Sequence, residues 1–503
     1  MTRSVANGGE RDEGDGRERD EGDGCDGGER DEGVEKEPAE ADRPNVLFVH
    51  VDQHRYDCVG ANGHPLVETP TLDRLAREGT NFEHAYTPIP ICSPERASLM
   101  TGTWPCRHGT INLTGQPGGR PLDPDLATFS EVLSAAGYAT RYVGRWHLGH
   151  EAEGGPEQFG FDRWVANDRY AEWRADCGLP ERPGPDRERG WRGCVDEGVA
   201  PDESRVGWAA DRVIEELDDL AAADEPFFLR WDTFEPHLPN VVPEPYASMY
   251  DPGDIEPWGS FDDDLTDKPW IQAQQRRTWR LEDWSWDEWA PIVARYLGEI
   301  TLLDAQFGRI LDRLDDLGLA EDTLVVYTAD HGDMCGGHGM IDKHYVMYDD
   351  VVRVPLIARG PGIPAGETCE SFVVHALDLA RTFVECARAK VPDSFQGESL
   401  FRAIDGDGRD AAYATYYGCQ MGLFTQRMVR TERWKYVWNA TAPDELYDLE
   451  TDPHELENRA TDPACADVVS RVRERLADRL LETGDQLANP WVLGQLREDG
   501  WIW

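Results

Sequence analysis

Two dyads in this 503-residue chain, Asp52-Gln53 and Asp330-His331, could hold a metal ion. Two carboxylates and a side-chain amide oxygen form a hard-oxygen set suited to Ca2+ or Mg2+, and the His331 imidazole admits Mn2+. His147 and His237 are candidate proton carriers, because imidazole ordinarily titrates near neutrality. Arg96, Arg145 and Lys343 could balance a tetrahedral oxyanion. Lys343 stands out because only 5 of the 50 basic residues are lysines, and an ammonium is a compact point charge where a guanidinium is a planar fork. Taken singly, an aspartate after a strand reads as a cap or turn residue and a histidine as structural. The joint pattern points to a site.

Asp52, Arg145, His147, His237, Asp330 and His331 each follow an apolar run that predicts a strand. Residues 46–51 end in Asp52, and 139–143 run into Gly144-Arg145-Trp146-His147. Residues 227–231 lead to Glu235-Pro236-His237, and 324–328 to Asp330-His331. Residues 354–358 predict a further strand. Helical patterns fall at 72–78, 128–136, 203–223, 289–317 and 377–387, and Thr128 with Glu131 has capping-box spacing. The alternation predicts an α/β fold with a largely parallel central sheet, in which chemistry collects beyond the carboxyl ends of the strands. After residue 410 the texture changes to short strand-like runs at 427–430, 434–438 and 445–448, then a helix at 464–481. These predict a small α+β subdomain with an antiparallel sheet over 411–503, behind a catalytic domain at 43–410.

Residues 1–42 carry 16 acidic and 6 basic side chains and repeat Glu-Arg-Asp-Glu-Gly three times. Such sequence buries too little apolar surface to offset ordering entropy, so it predicts a disordered tail. The formal net charge is -48, of which -38 falls outside that tail. An acidic, lysine-poor surface fits a salt-rich, halophilic cytosol where self-repulsion is screened. It argues against nucleic acid and anionic membrane as partners. Eleven cysteines without Cys-x-x-Cys spacing argue against a zinc cage or disulfide framework. With no apolar segment behind Met1 and no run of membrane-spanning length, a cytoplasmic location is expected. A tryptophan-rich stretch at 258–289 reads as the packed core of an insertion in preference to a ring platform for a sugar or aryl group.

The stretch Cys92-Ser93-Pro94-Glu95-Arg96, running on to Leu99-Met100-Thr101-Gly102, resembles the signature of the formylglycine-dependent sulfatases of the alkaline phosphatase superfamily. Supporting pieces occur in order: Pro44-Asn45-Val46-Leu47 to Asp52, Gly144 to Gly149, Pro236-His237-Leu238-Pro239 and Ala329-Asp330-His331-Gly332. A tail from Arg430 to Leu449 resembles the family's C-terminal part. The resemblance spans about 43–485 and implies an alkaline phosphatase-like α/β/α sandwich. It implies that Cys92 is oxidised to formylglycine (3-oxoalanine) by a formylglycine-generating enzyme. It also implies one divalent metal, Ca2+ before Mn2+ or Mg2+, held by Asp52, Gln53, Asp330, His331 and residue 92.

Further roles follow from the resemblance. Arg96 steadies the aldehyde hydrate, one hydroxyl of which attacks sulfur. His237 or Lys343 protonates the departing alcohol, and His147 deprotonates the second hydroxyl to expel sulfate. The substrate class implied is a small-molecule or carbohydrate sulfate ester. Gln53, where many members have Asp, and His331, where many have Asn, resemble the choline sulfatase and phosphonate monoester hydrolase branch. Arg145 replaces a usual lysine, yet its spacing to His147 is similar to that of sulfatases. Phosphonate monoester or phosphodiester hydrolysis is therefore the alternative reading. A non-catalytic binding protein with unconverted Cys92 is the second.

Overall fold

Eight strands among the described residues build the main sheet: β1 (Asn45–Asp52), β2 (Thr80–Phe82), β3 (Ala139–Gly144), β4 (Arg163–Ala166), β5 (Phe227–Pro236), β6 (Thr323–Ala329), β7 (Leu356–Arg359) and β8 (Glu367–Cys369). Their spatial order is β8-β2-β7-β6-β1-β5-β3-β4. The five strands from β6 to β4 run parallel, and β7 is antiparallel to both its neighbours. The computed structural model describes residues 43–497 except 117, 185–189 and 420–421, so the expected acidic tail lies outside the described residues.

β1 is apolar on both faces, and Val46 to Val51 are fully buried, as expected of a parallel strand covered on both sides. The covering helices form two groups. One contains α2 (Cys92–Thr101), α3 (Phe129–Ala135) and α6 (His375–Cys386), and the other α1 (Pro70–Glu78), α4 (Arg205–Leu220) and α5 (Trp286–Asp316). The fold is an alkaline phosphatase-like α/β/α sandwich. Thr128 caps α3 as its spacing predicts, with its hydroxyl accepting from Glu131 N while Glu131 reaches back to Thr128 N. α5 begins three residues earlier than its periodicity predicts, because the Glu288 carboxylate reaches back to accept from Ser285 N and Oγ at the helix start.

The helix α2 is absent from the sequence reading. All ten of its residues are buried, so no polar face exists to give the 3.6-residue alternation by which surface helices are recognised.

At the C-terminal end, β9 (Ala411–Tyr416), β10 (Gln426–Thr431), β11 (Trp434–Asn439) and β12 (Glu445–Asp448) form an antiparallel sheet. Side chains alternate along these strands. Val429, Tyr436 and Leu446 pack under α7 (Ala466–Thr483), while Ala414, Met428 and Val437 join a cluster with Ile91 and Cys92. One face of this sheet therefore supports the start of α2.

In the tryptophan-rich stretch Trp289 is buried and Trp258, Trp279, Trp284 and Trp286 are half-buried. Trp279, Trp284 and Trp289 pack with Trp191, Leu281 and Ile341, and the Trp258 and Trp286 indoles donate to the Cys335 and Ile255 carbonyls. Trp270 is the exception, 57 % exposed.

Candidate active site

Parallel register brings four strand ends to one edge. Asp52 is level with Pro236, Gly144 with Asp232, and Val51 with Ala329. Asp52, Arg145, His237 and Asp330 therefore leave the sheet side by side. Gly144 is required where it stands: its φ is +119°, and a Cβ there would lie 1.8 Å from the Asp232 carbonyl oxygen. The close approach lets Arg145 N donate to that oxygen at 2.9 Å. Gln53 and His147 also take positive φ, 70° and 57°, conformations uncommon outside glycine and found where side chains are re-aimed at sites.

Cys92 is the first residue of α2. Its Sγ lies 3.3 Å from His331 Nε2 and 3.6 Å from Asp52 Oδ1. Arg96 is one helical turn on, hence on the same face. Its Nη2 donates to Asp52 at 3.0 Å and Asp330 at 3.3 Å, and its Nη1 donates to Asp232.

The ligand atoms of Asp52, Cys92, Asp330 and His331 lie within 4.8 Å of one another, all buried. Burial, then the neighbouring Asp52 charge, raises the Asp330 carboxyl above the usual range, as expected where two carboxylates converge away from water. His331 Nδ1 donates to the Gly332 carbonyl at 2.9 Å, which leaves Nε2 as the free donor atom facing the cluster. Gln53 N donates to Asp330 Oδ1 at 3.0 Å, and its Oε1 accepts from Lys343 Nζ at 2.8 Å. Two carboxylates and an imidazole around one point fit a divalent cation.

The second group of side chains is cationic or imidazole. Lys343 Nζ donates to His237 Nε2 at 2.9 Å, while His237 Nδ1 donates to the Leu238 carbonyl at 2.5 Å. Burial, then Lys343, brings His237 down to about 3. Burial, then Arg145, brings His147 down to about 2. Burial opposes the charge on Lys343, but Asp342 at 3.0 Å and the cluster carboxylates hold its pKa above the ordinary value. Arg145 donates to Asp52, approaches His147 Nε2 at 3.5 Å and stacks over Phe234 at 4.7 Å. Beside Arg145 and His147 opens a cavity of about 670 Å3, lined also by Trp146, Trp164, Glu151 and Asp168.

The structure thus brings together all ten residues that the sequence singles out: Asp52, Gln53, Cys92, Arg96, Arg145, His147, His237, Asp330, His331 and Lys343. It adds two that the sequence reading omits. Asp232 accepts from Arg96, from Tyr142 at 2.8 Å and from Arg230 Nε at 2.8 Å. Although burial opposes ionisation, Arg96 and Arg230 hold its carboxyl far below the usual range. Asp333 accepts from Gln53 Nε2, Cys335 N and Asp342 N. A signal for Asp232 exists, since Arg230 interrupts and Asp232 ends the apolar run at 227–231. Asp333 carries no such signal.

A family model for the sulfatases matches residues 44–389. This chain belongs to the sulfatase family. A model for the C-terminal part of N-sulphoglucosamine sulphohydrolase matches residues 336–482. An uncharacterized sulfatase of Escherichia coli, YidJ, is 32 % identical, with 91 % of each chain covered. An arylsulfatase of Clostridium perfringens is 29 % identical, covering 83 % of this sulfatase and 90 % of the relative. Among solved structures, the phosphonate monoester hydrolase of Agrobacterium radiobacter superposes with a TM-score of 0.73 at 28 % identity, covering 88 % of this chain and 96 % of that one. Among the described residues of this sulfatase, no helix is long and apolar enough to cross a membrane.

Proposed function

We propose that this enzyme hydrolyses a sulfate ester, with formylglycine made from Cys92 as the nucleophile and one divalent cation, Ca2+ first, held by Asp52, Gln53, Asp330, His331 and residue 92. The observation that carries this reading is the position of Cys92 Sγ, inside the ligand cluster at 3.3 Å from His331 and 3.6 Å from Asp52. When present, the aldehyde hydrate supplies the attacking oxygen and the cation draws charge from the sulfuryl group.

The chain's own residues do the rest. Arg96 is held by three carboxylates and so presents a fixed guanidinium beside residue 92. Arg145 and Lys343 offer positive charge to the ester oxygens without reorganisation. Because His237 Nε2 accepts from Lys343 while its Nδ1 donates to the Leu238 carbonyl, the Lys343 ammonium is the proton source for the leaving alcohol. His147 is neutral with a buried Nδ1 that makes no hydrogen bond, and it serves as the base toward residue 92. The cavity beside them is large enough for a sugar ring and offers the Trp164 indole to its face and carboxylates to its hydroxyls.

A second reading, phosphonate monoester or phosphodiester hydrolysis, is favoured by the Gln53 and His331 dyads and the likeness to a phosphonate monoester hydrolase. Mass spectrometry of the peptide spanning residue 92 tests the nucleophile: an aldehyde is expected, and an unmodified thiol in active protein removes the mechanism. Parallel turnover of an aryl sulfate and an aryl phosphonate ester separates the readings, with preference for the sulfate expected.

A further inference from the structure

A second group of metal-ligating side chains lies beneath the active site. His50 on β1, Glu95 on α2 and His375 at the start of α6 are each fully buried, and their ligand atoms lie within 4.8 Å of one another. His50 Nε2 is 3.4 Å from Glu95 Oε2, and His375 Nε2 is 3.1 Å from Glu95 Oε1. These distances are short enough for hydrogen bonds, yet the directions are not: both imidazole Nε2 atoms and both Glu95 oxygens lack hydrogen-bond partners. Four buried polar atoms left this way are costly.

The outer ring nitrogens decide what the inner ones can carry. His375 Nδ1 is 3.2 Å from the Tyr86 carbonyl, which only accepts, so Nδ1 bears a proton. His375 Nε2 then faces the Glu95 carboxylate at 3.1 Å, an approach that either a second ring proton or a metal cation between them satisfies. His50 Nδ1 is 3.3 Å from Asp232 Oδ2 and 3.1 Å from Arg230 Nη2. It therefore either accepts from Arg230, with its proton on Nε2, or donates to Asp232, with Nε2 open. The second arrangement is the carboxylate–histidine pairing that orients metal ligands, and the His375–carbonyl contact is its backbone equivalent.

We infer that His50 Nε2, His375 Nε2 and the two oxygens of Glu95 bind a zinc-class divalent transition-metal cation, separate from the Asp52 cluster. Two imidazoles and a glutamate are a borderline donor set that suits zinc better than calcium. Two ligands about 2.0–2.2 Å from a tetrahedral zinc stand about 3.3–3.5 Å apart, close to the 3.4 and 3.1 Å between each imidazole nitrogen and its nearer Glu95 oxygen, with the two oxygens of the one carboxylate sharing a single bidentate position. Because all three side chains are fully buried, the ion would enter as the chain folds. It would tie the helix that carries residue 92 and Arg96 to β1 and α6, whether or not residue 92 is converted.

The test uses the unmodified full chain grown with zinc. Anomalous diffraction at the zinc edge is expected to show a peak between His50, Glu95 and His375. A map with no peak there, whatever it shows at Asp52 and Asp330, overturns the inference. Elemental analysis of Glu95→Gln, an isosteric change, is expected to show one zinc equivalent fewer per chain and no rise in Tm on adding zinc. Unchanged zinc content in that variant overturns the inference as well. If Glu95→Gln does not fold, the diffraction experiment on the unmodified chain decides alone.

Discussion

Gln53 lies between Lys343 and Asp333, accepting from Lys343 Nζ at 2.8 Å through Oε1 and donating to Asp333 through Nε2. An amide does both at once, whereas an ionised carboxylate only accepts. A carboxylate at position 53 would face Asp333, which burial and Asp342 already push toward the protonated form. Gln53→Asp alone is expected to lower Tm and weaken cation affinity, and Asp333→Asn in the same chain to recover part of both. A double-mutant cycle by thermal denaturation is expected to give a coupling of about 1 kcal/mol or more. Additive effects would break this explanation of the amide.

Cys92→Ala is expected to reduce kcat toward an aryl sulfate by at least about 10^3-fold, since an essential nucleophile cannot be replaced by neighbouring groups. Stability should change little, because only a small side chain is removed. Steady-state kinetics beside a denaturation curve check both statements.

Arg145 reaches Asp52 and stacks over Phe234. Arg145→Ala is expected to lower kcat/KM by about 10^2-fold, the scale of one lost oxyanion-type contact. Arg145→Lys keeps the charge but loses the stacking plane, and is expected to fall between the two. Equal losses for both variants would show that geometry, not charge, is what position 145 contributes.

Asp232→Ala would leave Arg96 and Arg230 facing each other in the core without their shared carboxylate. Removing one partner from a buried ionic group costs about 3–5 kcal/mol. Chemical denaturation is expected to show a loss on that scale together with loss of turnover. A variant that keeps wild-type stability would contradict the central place given to Asp232.

Glu299 on α5 is buried, accepts from Asn240 at 2.6 Å, and has its pKa pushed up to about 8 by burial and then by Glu235. The folded chain keeps this proton to about pH 8, while the unfolded chain releases it near the ordinary glutamate value of 4.5. Folding takes up a proton between those values, so this group's contribution to stability falls as pH rises through the window. Glu299→Gln is expected to raise Tm at pH 8.5 by about 2–4 °C for each kcal/mol recovered, and hardly at all at pH 4. Parallel melting curves for the two proteins would refute this if Glu299→Gln is neutral at both pH values.

Much of the α/β core is legible from local pattern. The runs ending at Asp52, before Arg145 and before Asp330 are apolar enough to predict parallel strands, and their polar termini mark the site. α2 is not legible, because a helix buried on every side has lost the polar face that reveals its period. Asp333 is not legible either, since an acidic residue in a loop looks the same whether it faces water or Gln53.

The sequence by itself determined which residue types stand at the ends of which strands, and hence the sulfatase-like order of motifs. Those are local properties, set by hydrophobic period and by neighbours a few positions away. Only the tertiary structure decided how the parallel register aligns the strand ends and which groups share a partner. Arg96 meets Asp232 across 136 positions, and Gln53 meets Asp333 across 280. The same long-range packing gathers His50, Glu95 and His375 from three elements. No local pattern encodes such pairings, because they exist only once the sheet has set the register and the helices have closed over it.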